Sequence, residues 1–468
     1  MSAPTVLALA GVQHERLRAH LFPGDGFEAA AILLCSRTSS PRIRLLVRDI
    51  MLVPHEACRV RRADFISWPG DYIEAALDRA EAEDLSVILM HSHPGGLYAF
   101  SAADDDSDRL VIPSLIENHG RFHGSAIMVS TGAVRARTYD RELRARPIEL
   151  VTVAGHDLYY WWEEDAALGG RFARPLAFTS QMSRELKRLT AGFIGVSGTG
   201  SINAEQGCRL GFGRAKLIDF DKVELKNLNR ILNSMLRDAQ LQRLKVHAFA
   251  DAVRGYRGEG VAQAIPLSIL TREAVIEASQ CDVLFCSVDC LEARQIADLI
   301  AMAFLLPLFD VGVVIPIRDA RGTAAIGDVC GRIDYVQPGR STLQDRGVYS
   351  PESLRAEYLR RTAPNAHRAE QDAGYIPGLI DEAPAVITLN MRAAAACMNE
   401  FIARAYPYRH EPNERYARTL FSLAACEEEF TAESAFVANG NSALLGRGSL
   451  EPLLGLPFLA PMPKSDAA

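Results

Sequence analysis

From Ala191 the chain runs AGFIGVSGTGS, a short apolar strand that enters a turn built on Gly195, Gly198 and Gly200. INAEQGCRLGF follows with helical spacing and is closed by Gly211. Three more short apolar runs come after it, AKLIDFD, CDVLFCSVD and LPLFDVGVV, with helical stretches between them. Parallel strands need a long crossover, usually a helix, so strands alternating with helices predict a parallel, doubly wound α/β sheet of Rossmann-like type. The longest apolar run, LIAMAFLLPLF at 299–309, is followed by Asp310 and is too short to span a bilayer. It reads as a buried helix leading into a strand.

The first part of the chain has another rhythm. Residues 27–53 alternate apolar runs around a Ser-Ser-Pro turn, as a hairpin does. DYIEAALDRAEAED places Ile73, Ala76, Leu77 and Ala80 on one helical face. VILMHSHP and GSAIMVSTG read as buried strands, which makes this part α+β. A chain of 468 residues has room for about three domain-sized units. The divisions expected are a first domain at 1–150, an aromatic-rich connector at 151–180, a second domain at 181–410 and a loop-rich extension at 411–468.

Composition narrows the function. With 48% hydrophobic and 23% charged residues the chain has the make-up of a globular enzyme. A net charge of -7 argues against general nucleic-acid binding, which Lys and Arg carry. The N-terminus MSAPTVLALAGVQ lacks the charged region and apolar length of a signal peptide, and no membrane partner is expected. Nine cysteines without regular spacing fit a reducing compartment, so cytoplasm is the expected location.

Residues 91–104 read HSHPGGLYAFSAAD. His91 and His93, two apart on a strand, present both imidazoles to one side. SAAD can start a helix near the strand's end, where Asp104 would supply a third ligand and leave a fourth position for water, as in catalytic zinc sites. A plainer reading makes SAAD a capping box and places the histidines in the core. HSHP, six residues and then SxxD resembles the signature of the JAMM/MPN family of zinc isopeptidases, which cut ubiquitin and ubiquitin-like proteins from lysines. The resemblance implies that His91, His93 and Asp104 bind Zn2+, that Glu28 in GFEAAAILLC is the general base, and that Ser101 helps stabilise the oxyanion.

In the second half the dinucleotide fingerprint GxGxxG fails, because Ser197 stands where its second glycine belongs. The segment LIDFDKVELKNLNR resembles instead the DxDxVExxNLxR of the ThiF/MoeB/HesA family of adenylating enzymes. The glycine turn resembles that family's GxGGxGS with one glycine changed to serine. This resemblance covers about 190–410 and implies adenylation of a C-terminal glycine carboxylate by ATP with Mg2+. It implies that Gly195, Gly198 and Gly200 form the turn and that Asp219 holds the ribose. Asn227 and Arg230 would contact the phosphates, Lys245 bridge them and Asp289 position magnesium. RFAR matches an RxxR motif in which Arg174 would reach the ATP of a second protomer, so a homodimer is expected.

There are departures. The place of a first CxxC pair reads QPGRSTLQDRG, so no zinc is expected in this domain. GYIPGLIDEAPAVITLN resembles bacterial members found in ubiquitin-like operons. The segment 340–378, where thioester-forming relatives carry their cysteine, has none. Cys330 reads as buried in a strand, Cys397 lies in a helix and Cys426 lies well beyond the segment, so no cysteine thioester is expected. Ser341, Thr342, Ser350 and Ser353 remain as hydroxyl acceptors, beside direct transfer of the adenylate.

The whole reads as a bacterial-type fusion that activates one ubiquitin-like protein and trims or removes it, handing it to a downstream conjugating enzyme. A sulfur-carrier protein as the partner is the nearest alternative. A non-catalytic scaffold with a decayed nucleotide site is the other.

Overall fold

Successive side chains of a strand face opposite ways, and the first sheet buries both of its faces. Ala31, Leu33, Cys35, Ile88 and Met90 pack with Leu17 and Leu21 of the helix Gly11–Leu21. Ile32, Leu34, Val87 and Leu89 pack on the other face against Ala76, Ala80, Ile112 and Leu115 of the helices Asp71–Glu83 and Ala102–His119. The computed structural model describes residues 5–39, 41–119, 122–168, 174–320, 323–363, 386–439 and 443–461. It divides into two units, Met1–Arg174 with Met302–Leu305 and Asn441–Ala460, and Pro175–Ala301 with Leu306–Gly440 and Pro461–Ala468.

The first unit holds a nine-stranded mixed sheet. Its central strand Ala30–Arg37 runs antiparallel to both Arg44–Leu52 and Ser86–His93, with Ala30 opposite His91. Odd-numbered residues 87 and 89 face the helix pair, so His91 and His93 continue that face beyond the apolar packing. There the helix Ala102–His119 begins. Carrying the 30-to-91 pairing two residues further puts Glu28 on the same side, opposite His93.

The second unit has an eight-stranded sheet. Five strands are parallel, in the spatial order Ala262–Ile265, Arg214–Ile218, Thr190–Ile194, Val283–Cys286, Leu308–Val314. Strand order reverses between Thr190–Ile194 and Val283–Cys286, which are neighbours, and a doubly wound sheet opens its ligand crevice at such a point. Phe193, Phe285 and Phe309 stack across adjacent strands at 5.2 and 5.4 Å and fix the centre of the sheet. Three antiparallel strands, Cys330–Val336, Arg418–Ser422 and Glu427–Thr431, complete it.

Two boundaries differ from the sequence reading. The supposed connector carries Leu158–Trp162, antiparallel to Leu150–Ala154, which pairs in parallel with Val6–Ala10. The first sheet therefore runs past 150. LVTVA is buried throughout and has no polar alternation to announce it as a strand. The C-terminal extension is only partly loop. Its start supplies two strands of the second sheet, and Asn441–Ala460 belongs to the first unit, where Gly446 and Gly448 come close to the backbone of Val47 and Arg37. Such long-range packing leaves no local periodicity to read. Cys330 opens the strand Cys330–Val336 but is half-buried there rather than buried. Of GYIPGLIDEAPAVITLN, residues 374–385 lie outside the described residues, as do 364–378 of the segment where a thioester cysteine was sought.

Asp298 ties the segment after Val336 to the helix Leu291–Phe304. It is buried and accepts the Tyr349 hydroxyl at 2.7 Å and the Leu343 N–H at 3.0 Å. Burial pushes its carboxyl up to about 7, against the pull of those hydrogen bonds. A carboxyl that holds its proton more tightly when folded withdraws stability as pH rises from its unfolded value, near 4, through 7. Between pH 5 and pH 8 the wild-type chain is expected to lose about 2 kcal/mol more unfolding free energy than Asp298→Asn. Urea titrations of both proteins across that range check this; parallel pH curves would refute it.

Candidate functional site

The first site gathers at the end of the strand Ser86–His93. The Nε2 atoms of His91 and His93 lie 3.0 Å apart. Asp104 reaches both, Oδ1 at 3.0 Å from His91 Nε2 and Oδ2 at 3.4 Å from His93 Nε2. Donor atoms of Glu28, His91 and His93 lie within 4.8 Å of one another. The Leu97 carbonyl, 2.7 Å from His93 Nδ1, fixes that nitrogen as the protonated one and turns the Nε2 lone pair into the site. Two imidazole nitrogens and a carboxylate aimed at one point, with a second carboxylate in reach, are a donor set that fits zinc.

Its electrostatics separate the two acids. Burial would raise Asp104, but hydrogen bonds from His91 and His93 prevail and hold its carboxyl well below the usual range. Glu28 goes the other way. Burial raises it, against the pull of the two histidines. The backbone of Glu28 is pinned by its N–H to the Arg62 carbonyl at 2.8 Å and by Arg61 Nε donating to its own carbonyl at 2.9 Å. Ser101 forms a capping box with Asp104: its backbone N–H donates to Asp104 Oδ2 at 2.6 Å, and its Oγ accepts the Asp104 N–H at 3.2 Å. The capping and metal readings of SAAD thus share one geometry, because the cap is what holds the Asp104 carboxylate beside the histidines.

The second site is organised around the glycine turn. Gly195 has a φ of +85°, and a Cβ on it would lie 2.9 Å from the Ser287 carbonyl oxygen. This is how the loop carrying Asp289 meets the turn. The helix Gly198–Leu210 starts directly from it, four residues earlier than the apolar pattern suggested. Asp219, at the end of Arg214–Ile218, accepts the Val196 N–H at 2.7 Å and the Asp221 N–H at 2.8 Å. Burial pushes its carboxyl up against Lys245 and these two donors. Lys245 opens the helix Lys245–Arg257, is 6% exposed, and places Nζ 2.8 Å from Asp221 Oδ2. Arg230 lays its stem over Gly198, with Cδ 3.3 Å from where a Cβ would stand.

The remaining expected residues have surroundings of their own. Asn227 is buried, and its Oδ1 accepts the Glu224 N–H at 3.1 Å, so it caps its own short turn. Asp289 is exposed in the loop after Val283–Cys286. Arg174 pairs with Asp157 at 3.2 Å and stacks on Tyr159, both in its own unit; Arg171 to Ala173 lie outside the described residues. Burial and a hydrogen bond to Asp328 push the Cys330 thiol up to about 11. Burial and nearby carboxylates also raise Cys290, which sequence reasoning passed over although it adjoins Asp289. Asp221, the partner of Lys245, was visible as the second aspartate of the DxD motif. Asn390, which lies against Gly198 from a remote helix, carried no local signal.

Two family models match the chain, each over a separate part of it. Residues 172–417 match the model of the ThiF family, and residues 12–145 match the model of prokaryotic homologs of the JAB domain. Ubiquitin-like modifier-activating enzyme 5 of Bombyx mori is 26% identical over 168 residues, which are 34% of this chain and 39% of that protein. Its Mus musculus counterpart is 32% identical over 90 residues, 19% and 22% of the two chains. The chain therefore spans less than two fifths of the length of either relative. Among solved structures, E. coli MccB with succinimide aligns at 16% identity and a TM-score of 0.41, over 55% of this chain and 67% of that one. The ThiF match extends over more than half of the sequence, with the JAB match ahead of it, and the chain belongs to the ThiF family as a fusion with an N-terminal JAB-like domain.

Proposed function

We propose that this protein is a bifunctional enzyme of a ubiquitin-like pathway: its ThiF domain adenylates the partner's C-terminal glycine, and its JAB-like domain processes or removes that partner. The observation that carries the reading is the gathering at the Gly195–Gly200 turn of Asp219, Arg230 and the loop that leads to Asp289, from three separate stretches of chain, with Lys245 on Asp221 beside Asp219. The names of the relatives, activating enzymes for a ubiquitin-like modifier, favour this partner over a sulfur carrier.

In adenylation the partner's terminal carboxylate oxygen bonds to the α-phosphorus of ATP, the bond to the β-phosphate bridge breaks, and pyrophosphate leaves. The first-turn N–H groups of Gly198–Leu210 would receive the phosphates. Lys245 and Arg230 compensate the charge that builds on the oxygens. Asp289, an exposed hard oxygen donor, suits magnesium, which when bound neutralises the polyphosphate. Lys245→Ala is expected to lower partner-dependent ATP–pyrophosphate exchange about 100-fold, and Asp289→Ala at least as much. Exchange that survives both substitutions would refute the site. With Cys330 and Cys290 held as thiols, a gel of enzyme, partner and Mg-ATP should show no thiol-sensitive adduct, and one lost on Cys330→Ala or Cys290→Ala would overturn this.

In the JAB-like domain His91, His93 and Asp104 would hold the zinc, which supplies Lewis acidity to an acyl carbonyl and to water. Glu28, raised by burial, takes the proton of the attacking water and returns it to the leaving amine. Ser101 stands at the helix start beside the site, where its hydroxyl can assist the oxyanion. His91→Ala should lose both metal and peptidase activity. Glu28→Gln should keep one zinc per chain by elemental analysis yet cleave a ubiquitin-like fusion about 100-fold more slowly. Full cleavage by Glu28→Gln would show that the base is another group.

A further inference from the structure

The helix Ile387–Ala405 packs against Gly198–Leu210 and brings Asn390 to the mouth of the glycine turn. Asn390 is 2% exposed. Its Oδ1 is buried with no hydrogen-bond partner among the described residues. Its Nδ2 lies 2.5 Å from where a Cβ on Gly198 would stand, on the side where Arg230 Cδ lies 3.3 Å from the same point. A Cβ at 198 would force this amide to shift. A buried carbonyl oxygen without a partner costs the fold stability, so Asn390 is not held at this position by what it contributes to folding.

Resting on the adenylation reading, we infer that Asn390 is a further ligand of the bound triphosphate, its amide donating to a phosphate oxygen at the N-terminus of the helix Gly198–Leu210. Three features support it. The first-turn N–H groups of that helix have no intrahelical partners and favour an anion. The amide nitrogen is the end of Asn390 that lies against Gly198, the first residue of that helix, and a carboxamide is a donor at that end. The neighbouring Arg230 spends one guanidinium nitrogen on the Lys226 carbonyl and Asn229 Oδ1, at 3.0 and 3.1 Å. This fixes a second donor group on the same side of Gly198. Because Asn390 comes from the chain's far helix, nucleotide binding would also couple that helix to the turn.

The test uses full-length protein, with ATP and magnesium as the probe in calorimetry and thermal melting. Asn390→Leu keeps the side chain's bulk and removes the amide. ATP binding is expected to weaken about tenfold or more, as for loss of a hydrogen bond to a charged group, while the melting temperature without ATP holds or rises. Asn390→Asp has nearly the same shape and sets a carboxylate against the phosphates. It should weaken ATP more than Asn390→Leu, with a loss that shrinks at high salt. If Asn390→Leu does not fold, Asn390→Asp alone decides. A folded variant that binds ATP as wild type does overturns the role of Asn390. Wild-type protein that binds no ATP overturns the adenylation reading itself.

Discussion

The second unit depends on a backbone contact that only glycine permits. A Cβ on Gly200 would stand 1.9 Å from the Gly195 carbonyl oxygen, and one on Gly195 would press on Ser287 and Val288. The turn is thus closed to its own carbonyl and to the neighbouring strand's loop. Three hydrogen bonds hold it there, Gly195 N–H to the Ile218 carbonyl, Ser287 N–H to the Ile194 carbonyl and Val196 N–H to Asp219. Each ties the first parallel strand to one of its two neighbours. Because those neighbours lie on opposite sides of the strand-order reversal, the turn is pulled to the crevice between them. The residues proposed to handle ATP inherit their places from this packing.

The first unit solves a similar problem by parity. One strand face is apolar at 87 and 89, where helices cover it, and turns polar at 91 and 93, where the cover ends. No special turn is required. The extra element is the cap, since Ser101 and Asp104 both start the helix and fix the carboxylate in front of the imidazoles. Replacing Asp104 would therefore disturb a helix end together with a ligand, whereas Glu28 is held by backbone contacts of its own.

This difference explains what the sequence made legible. Local chemistry was visible: strand parity at His91 and His93, the SxxD cap, the glycine turn and the order of Asp219, Arg230 and Lys245 all lie within short windows. Edges and returns were not. Leu150–Ala154 is buried along its whole length and so lacks alternation, and Leu158–Trp162 follows it as an edge strand that aromatic content disguised as a linker. Asn441–Ala460 joins the first unit through glycines that matter only against the distant Val47 and Arg37. Asn227 shows a further limit of local reading. A motif match fixes the residue type, while its Oδ1 serves the local cap.

Buried charge in the second unit is divided between holding and acting. Asp310 and Asp334 are fully buried, and each is clasped by arginines: Arg294 and Arg332 on the former, Arg332, Arg346 and Arg418 on the latter. Removing one partner from such a cluster leaves an uncompensated charge in low dielectric, so these side chains lock the strands Leu308–Val314 and Cys330–Val336 together. Lys245 is nearly as buried but its partner Asp221 is half exposed, at 52% of its side chain. A pair with one partner in water can be broken by an incoming anion at far lower cost than a pair sealed on both sides. The proposed ATP site asks Lys245 to leave Asp221 for a phosphate, and this asymmetry permits it, while the arginines around Asp334 stay where the fold needs them.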